Sequence, residues 1–163
     1  MSEGAPSMRP LAEDDAALLE RATLGNVNWP GPRFTARDVR ERPDLARYTR
    51  LIPGRGDLGV VAEEGAETVG VAWLCVFSAD DPGYGFVAPG VPELSIWVSA
   101  AHRRWGLGTT LLRAVHGRAR TRGMTRISLL VETGNPARRL YVREGYVVVP
   151  GAAAGVMLRE LSP

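Results

Sequence analysis

Cysteine, lysine and histidine are scarce or missing in this sequence of 163 residues, and each shortage excludes a class of protein. The single cysteine, Cys75, makes an intrachain disulfide impossible and excludes a cysteine-rich zinc site. Because Cys75 lies in the apolar run 71–77, we expect a buried, unreactive thiol rather than a nucleophile. The two histidines, His102 and His116, are too far apart in sequence to indicate a metal site, so we expect no bound metal.

Charge and long apolar runs are also limited. All 20 basic residues are arginines, and a net charge of +2 is too small to indicate nucleic-acid binding by itself. No stretch approaches the ~20 consecutive apolar residues that a membrane span needs. The first residues lack the basic start and apolar run of a signal peptide, so we expect a cytoplasmic protein with no membrane partner. The length predicts a single domain over 1–163.

Hydrophobic periodicity and turn residues predict alternating helices and strands in the first half of the chain. In chain order, the predicted elements are a strand at 8–11, a helix opened by Asp14 or Asp15, a break at 25–32, a short helix capped by Thr35 that ends near Pro43, and a hairpin of 60–62 with 69–73.

The second half predicts a strand, a helix and a strand in succession. Residues 93–99 alternate in polarity, and a helix follows in which Leu107, Leu111 and Val115 recur every four residues until Gly123. With the next strand at 127–131, this order predicts a parallel crossover. The last predicted elements are a helix that opens at Asn135-Pro136 and closes at Gly145, and two short strands at 146–149 and 156–161. The fold class is therefore α/β (α+β), a mixed sheet covered by helices.

The loop at 103–108 joins the strand to the helix and predicts an anion site. A helix N-terminus offers unpaired amides and a partial positive charge, which suit a diphosphate. Glycine at 106 and 108 lets the backbone approach such a ligand, and Arg103 and Arg104 add charge at its rim. The dinucleotide fingerprint fails because Leu111 stands where a third glycine is needed, and a Walker A loop needs a lysine.

Two segments carry a family resemblance. Residues 93–112 resemble the acetyl-CoA-binding motif of the GNAT superfamily of N-acetyltransferases, with signature [Arg/Gln]-x-x-Gly-x-[Gly/Ala], and residues 135–146 are similar to its second motif. The matching residues are Arg103, Gly106 and Gly108 in the first motif, and Asn135, Leu140, Tyr141, Gly145 and Tyr146 in the second. The resemblance implies a mostly antiparallel central sheet with the strand–helix–strand crossover around the CoA loop. It also implies transfer of an acetyl or other short acyl group from acyl-CoA to a primary amine, by direct attack within a ternary complex.

The resemblance implies how acetyl-CoA is held. Backbone amides near Val98 would polarise the thioester carbonyl, and Asn135 would contact the cofactor as well as cap its helix. Amides of the loop and of the first helical turn would hold the pyrophosphate; these belong to Arg104, Trp105, Gly106, Leu107, Gly108 and Thr109. The Trp105 ring either packs over the adenine or shields the helix.

Acyl transfer to an amine requires the amine to lose a proton and favours protonation of the departing thiolate, because amines have pKa near ~10.4 and thiols near ~8.5. Spacing alone favours a core or rim role for Tyr141, whereas the resemblance implies that it is the general acid. Glu93, which by alternation shares a face with Ser95 and Trp97, is the candidate base through water; its alternative is a solvated strand-end carboxylate. Glu132 is the reserve base, with a loop-edge charge as its alternative.

The acceptor site is predicted at the loop 25–32, which contains Trp29, and at the turn 84–86. Their aromatic residues either form acceptor walls or close the edge of a core, and Asp80 and Asp81 are possible partners of a cationic amine. The acceptor is a small-molecule amine or a peptide N-terminus, and a homodimer is possible because dimers are common in the family.

Two other functions are open to this sequence. A non-catalytic acyl-CoA-binding sensor module needs the loop but no acid or base. An arginine-rich nucleic-acid binder is suggested by the six arginines between Arg103 and Arg122, but the apolar stripe of that helix turns them towards solvent, so we expect no nucleic-acid partner.

Overall fold

The structure, a computed structural model, describes residues 5–103 and 106–162. These residues form a seven-stranded sheet in the order β1-β2-β3-β4-β5-β7-β6. The strands are β1 (Ser7–Pro10), β2 (Leu58–Glu64), β3 (Glu67–Cys75), β4 (Glu93–Val98), β5 (Arg126–Leu130), β6 (Val147–Val148) and β7 (Val156–Glu160). The helices are α1 (Ala16–Val27), α2 (Ala36–Glu41), α3 (Pro43–Ala46), α4 (Leu107–Thr121) and α5 (Arg138–Arg143).

The predicted mixed, mostly antiparallel sheet is confirmed. Among β1, β2, β3 and β4, each strand pairs antiparallel with the next. Strand β7 pairs antiparallel with both β5 and β6. Strand β4 pairs parallel with β5, and α4 connects them, as the strand–helix–strand pattern predicts. The register of β3 with β4 is continuous from Glu93 to Val98, so alternation along β4 is not interrupted.

Strands β4 and β5 separate soon after they meet. Their register contains one residue pair, Glu93 with Ser128, reinforced by a 3.0 Å hydrogen bond that the Ser128 amide donates to the Pro92 carbonyl. Beyond that pair the two neighbouring strands are no longer matched residue by residue. A gap therefore opens in the middle of the sheet.

Helix α4 covers one face of the sheet through the predicted apolar stripe. Leu111 and Val115 are fully buried, while Arg113, Arg118 and Arg120 are exposed. The arginines of this helix thus form its solvated side, as the periodicity predicts. The same core contains residues of both central strands and of α5, among them Leu94, Ile127 and Tyr141.

Helix α1 covers the opposite face. Leu18 and Leu19 pack there with Trp73 of β3 and with Tyr48, which follows α3. Cys75 belongs to this core, and burial raises the pKa of its thiol, in agreement with the predicted unreactive cysteine. Among the described helices, none has the length and apolar character needed to cross a bilayer.

Two helix boundaries differ from prediction. The predicted break at 25–32 begins too early, because α1 runs through Gly25 to Val27. Trp97 packs so closely there that a Cβ on Gly25 would lie 2.5 Å from the indole Nε1. The last helix starts at Arg138 rather than at Asn135, because the amides of Arg138 and the next two residues bond three residues back, in a tighter turn than an α-helix.

Candidate active site

A cavity of about 930 Å³ occupies the gap between β4 and β5. On the α1 face its walls come from the end of α1, from the loop after it and from the two separate segments that contain Tyr48 and Tyr84. On the α4 face they come from the first turn of α4, the loop after β5 and helix α5. The cavity therefore connects the predicted acceptor region with the predicted acetyl-CoA site.

The α4 end of the cavity has the properties of an anion site. Gly106, the N-cap of α4, has φ of 75°, a left-handed conformation that glycine adopts without strain. The first intrahelical bond is donated by Thr110 to the Gly106 carbonyl, and the amides of Leu107, Gly108 and Thr109 donate to no described residue. These residues line the cavity, so the positive end of the helix faces it, with amides that have no partner among the described residues. This end fits a pyrophosphate.

Two arginines flank this end. Arg103 lines the cavity and donates through Nε to the Val98 carbonyl at 3.3 Å, which ties the loop to the end of β4. Arg143 of α5 also lines the cavity and lies 3.4 Å from the Thr109 hydroxyl. The predicted contacts of Arg104 and Trp105 lie outside the described residues.

Val98 and Asn135 line the cavity from opposite sides of the gap. Val98 ends β4 beside the gap, and Asn135 lies in the loop that follows β5. The Asn135 side chain accepts a 3.0 Å hydrogen bond from the Ala137 amide, so it caps the turn before α5 rather than the helix itself. The cavity thus brings together residues of both predicted motifs, although Gly145 and Tyr146 are absent from its walls.

Glu93 is a buried carboxylate, only 4% exposed, and it lines the cavity on the α1 face. Its Oε2 accepts a 2.6 Å hydrogen bond from the Tyr48 hydroxyl, and its Oε1 accepts a 2.9 Å hydrogen bond from the Gly85 amide. Burial raises the pKa of Glu93 to about 7, and the two hydrogen bonds oppose that shift. The alternative that Glu93 is a solvated carboxylate at a strand end is therefore wrong.

Tyr48 is held on three sides. Its carbonyl accepts a 3.0 Å hydrogen bond from the indole of Trp73, and its ring packs edge-on against Phe77 with centroids 5.3 Å apart. Its hydroxyl accepts a 2.8 Å hydrogen bond from the Tyr84 amide while it donates to Glu93. The orientation of the Glu93 carboxylate is consequently fixed by strand β3 and by the 83–85 segment.

Tyr141 lines the cavity from α5 and is 8% exposed. Burial raises the pKa of its phenol, and its hydroxyl makes no hydrogen bond to any described residue. Its ring packs edge-on against Tyr146 at 5.9 Å, and the Tyr146 hydroxyl lies 2.8 Å from Nε2 of the buried His116. Tyr141 therefore has a well-packed ring and a phenol group without a partner among the described residues.

Glu132 is engaged by Arg33. The guanidinium of Arg33 contacts both carboxylate oxygens at 2.7 and 3.1 Å, and this pairing lowers the pKa of Glu132. A carboxylate that is already bound to a cation is a poor proton acceptor. The geometry disfavours Glu132 as a base.

Only part of the predicted acceptor region lines the cavity. Trp29 and Tyr84 line the cavity on the α1 face, as predicted. Asp80 and Asp81 are absent from its walls, and Asp81 instead pairs with Arg47 at 3.0 Å. Phe86 packs against the α1 core, in keeping with the core-edge alternative.

Sequence reasoning missed three residues of the site. Tyr48 belongs to a segment without hydrophobic periodicity, and its contact with Glu93 spans 45 positions, so no local signal could identify it. Arg33 meets Glu132 across 99 positions. Arg143 could have been found from helix spacing, because it lies three residues after Leu140 and shares a helix face with that lining residue. No group of three or more His, Cys, Asp or Glu residues in the described part of the chain could hold a metal ion.

Comparison with known proteins relates this geometry to a family. The model of the acetyltransferase (GNAT) family matches residues 24–146, more than half of the chain. No curated protein matches the chain in sequence.

Several solved structures share the fold. The chain is similar to the PaiA N-acetyltransferase from Thermoplasma acidophilum in complex with coenzyme A, with a TM-score of 0.69 and 17% identity over 94% of this chain and 99% of that one. It is similar to YncA, a putative acetyltransferase from Salmonella typhimurium with its cofactor acetyl-CoA, with a TM-score of 0.65 and 22% identity over 98% and 96% of the two chains. It is also similar to the GNAT domain of S. lividans PAT, with a TM-score of 0.68 and 22% identity over 97% and 92%. At these identities the similarity establishes the fold alone.

Proposed function

The chain belongs to the acetyltransferase (GNAT) family and is an acetyl-CoA-dependent N-acetyltransferase, and we propose that it acetylates a primary amine by direct attack on the thioester within a ternary complex. The observation that carries this proposal is that Glu93, Tyr141 and the first turn of α4 line one and the same cavity. Donor site, acid and base then share one space. The whole chain acts as one domain in this proposal.

The donor is held at the α4 end. The amides of Leu107, Gly108 and Thr109, which donate to no described residue, bind the pyrophosphate, and Arg103 adds positive charge beside it. Asn135 contacts the donor from the opposite wall, and backbone amides near Val98 polarise the thioester carbonyl. Bound acetyl-CoA supplies the activated acyl group; the protein supplies position, charge and proton transfer.

Glu93 is the general base. An ammonium acceptor must lose a proton before its nitrogen can attack, and Glu93 accepts that proton directly or through one water. A pKa of about 7 leaves the carboxylate ionised in a substantial fraction of molecules at neutral pH and basic enough to receive a proton. The hydrogen bonds from Tyr48 and Gly85 hold the carboxylate in one orientation while leaving lone pairs free.

Tyr141 is the general acid. Its phenol is protonated at neutral pH because burial raises its pKa, and its hydroxyl is not committed to another described residue. It donates its proton to the departing thiolate sulfur as the carbon–sulfur bond breaks. The edge-on packing of Tyr146 holds the ring in place for this transfer.

The alternative is an acyl-CoA-binding module that senses the cofactor without turnover. Calorimetric titration with acetyl-CoA, followed by thiol release measured over a panel of amines and peptides, separates the two. Binding with acceptor-dependent release of CoA supports the enzyme, and binding without release on any acceptor supports the sensor. Failure to bind any acyl-CoA at millimolar concentration would reject both.

A further inference from the structure

The α1 face of the cavity is walled largely by aromatic side chains. Trp29 and Phe34 come from the loop after α1, Tyr48 and Tyr84 from the segments that hold Glu93, and Trp97 from β4 itself. Tyr48 and Tyr84 are parallel, with ring centroids 6.5 Å apart. Flat apolar walls of this kind recognise an aromatic or large apolar group by area and ring stacking.

The charges on this side of the cavity nearly cancel. Arg33 lines this side, and it binds Glu132, which lines the cavity from the loop after β5, through two hydrogen bonds. The remaining charged lining residue of the α1 face, among the described residues, is Glu93. Among the described residues, the α1 face thus offers one anionic group, at the position of the base, and no uncommitted cation.

A ligand that matches these walls carries one amine and no other charge. Its ammonium lies near Glu93, where it is deprotonated, and its body lies against the rings of Trp29 and Tyr84, because the guanidinium groups of Arg33 and Arg42 already lie over the Phe34 ring. A carboxylate on the acceptor would find no free cation, and a second ammonium would find no free anion. Stacking on aromatic faces also favours a ligand with a planar body.

We propose that the acceptor is a small monoamine with an aromatic or large apolar body, and that amino acids and polyamines are poor substrates. This inference rests on the proposed function and names the class of acceptor for the same site. The Arg33–Glu132 pair determines the selectivity, because it neutralises the two side chains that would otherwise attract a carboxylate or a second amine.

Four amines that differ by one group each test the proposal with the full-length protein and acetyl-CoA. Relative to 2-phenylethylamine, phenylalanine adds a carboxylate and pentylamine removes the ring; 1,5-diaminopentane adds a second amine to pentylamine. We expect the highest kcat/KM for 2-phenylethylamine and about tenfold lower kcat/KM for pentylamine. For phenylalanine and the diamine we expect kcat/KM about a hundredfold lower than for 2-phenylethylamine and pentylamine, respectively, which lack the added carboxylate or second amine.

Two reciprocal variants of the ion pair test which residues set the selectivity. Arg33→Met frees the Glu132 carboxylate and is expected to raise kcat/KM for 1,5-diaminopentane about tenfold. Glu132→Gln frees the Arg33 guanidinium and is expected to raise kcat/KM for phenylalanine by a similar factor. The double variant Arg33→Met, Glu132→Gln restores neutrality and is expected to return the wild-type order, which separates charge from a general disturbance of the loop.

The outcomes distinguish the two levels of the proposal. Wild-type preference for phenylalanine, for the diamine or for a peptide N-terminus overturns the acceptor class and leaves the acetyltransferase function intact. Equal kcat/KM for 2-phenylethylamine and pentylamine overturns the aromatic part alone. Binding of acetyl-CoA without acetylation of any of these amines or of a peptide overturns this inference and the proposed catalysis together.

Discussion

The hydroxyl of Tyr48 donates a 2.6 Å hydrogen bond to the buried carboxylate of Glu93, although the two residues are 45 positions apart. The same hydroxyl accepts from the Tyr84 amide, so the direction of its proton towards Glu93 is fixed. A carboxylate with one fixed orientation and a raised pKa is suited to receive a proton from a substrate. The pair also connects catalysis with stability, because Glu93 is buried in a position where its charge is costly.

Replacement of Glu93 by glutamine should lower kcat by roughly 10²- to 10⁴-fold, because the amide cannot accept the amine proton. The wild-type kcat should rise with pH through about 7, since only the ionised carboxylate is a base, and this limb should be missing in Glu93→Gln. Steady-state kinetics from pH 5.5 to 9 measure both effects. Burial raises the pKa of the neighbouring Tyr48 and Cys75, so neither of them supplies a limb near neutral pH.

The matched control is Glu132→Gln, which removes a carboxylate that lines the same cavity but is paired with Arg33. It should keep the limb near pH 7 and the turnover of a good monoamine acceptor. Unaltered turnover in Glu93→Gln, or loss of the limb in Glu132→Gln, would contradict the assignment of Glu93 as the base.

Glu93→Gln should become more stable relative to wild type as the pH rises. The pKa of Glu93 is raised from 4.5 to about 7, so between these values the folded state binds more protons than the unfolded chain, and wild-type stability falls as the pH rises. Glutamine does not titrate. We therefore expect the free energy of unfolding of Glu93→Gln, relative to wild type, to increase by roughly 2–3 kcal/mol between pH 5 and pH 8.

Urea denaturation at several pH values measures that difference. The pKa of His116 is lowered to about 4 by burial, so His116 contributes stability that is lost as the pH falls below 6.5; it does so in both proteins and cancels. A difference that does not change with pH would show that the carboxylate is not destabilised by its burial.

Two tyrosines whose rings are in contact should respond oppositely to loss of their hydroxyls. Tyr141→Phe should lower turnover by roughly 10- to 10⁴-fold with little change in stability, because its hydroxyl has no described partner. Tyr146→Phe leaves the buried Nε2 of His116 unpaired and should cost about 1–3 kcal/mol of stability with a much smaller effect on turnover. Turnover and thermal unfolding of both variants test the pair. Unchanged turnover in Tyr141→Phe removes that residue from the mechanism.

Gly106→Ala should affect both stability and donor binding. An L-residue at φ of 75° is strained, so we expect a loss of about 1 kcal/mol, and the new methyl group should weaken acetyl-CoA binding several-fold by holding the pyrophosphate off the amides. Gly117→Ala in the same helix is the control, because a Cβ there meets nothing within 4 Å. That variant should gain about 0.5–1 kcal/mol and bind acetyl-CoA as wild type does, as calorimetry can measure. Wild-type affinity in Gly106→Ala would contradict an anion site at this helix end.

Features with local causes were predictable from the sequence. The stripe of Leu107, Leu111 and Val115 is buried as expected, because its spacing alone defines the inward side of α4. Thr35 forms a capping box with Asp38 at the predicted helix start, because both partners lie within one turn.

Features with distant causes were not predictable. Helix α1 passes through Gly25 because the Trp97 ring packs against it from another element. Asn135 resembles an N-cap in sequence, but its side chain bonds the Ala137 amide in a tight turn that delays the helix. The burial of Glu93 depends on Tyr48 and on the 83–85 segment, which meet it only after the sheet is assembled.

The one residue pair that joins β4 to β5 has a mechanical consequence for the whole molecule. Strands β1 to β4 form one antiparallel half, β5 to β7 form the other, and backbone pairing holds the halves together at Glu93 and Ser128. The two halves of the sheet are paired at one position, and helix α4 connects them along the chain. The cavity is lined by residues of both halves, so we expect bound acetyl-CoA to contact both of them and thereby to stabilise the folded protein.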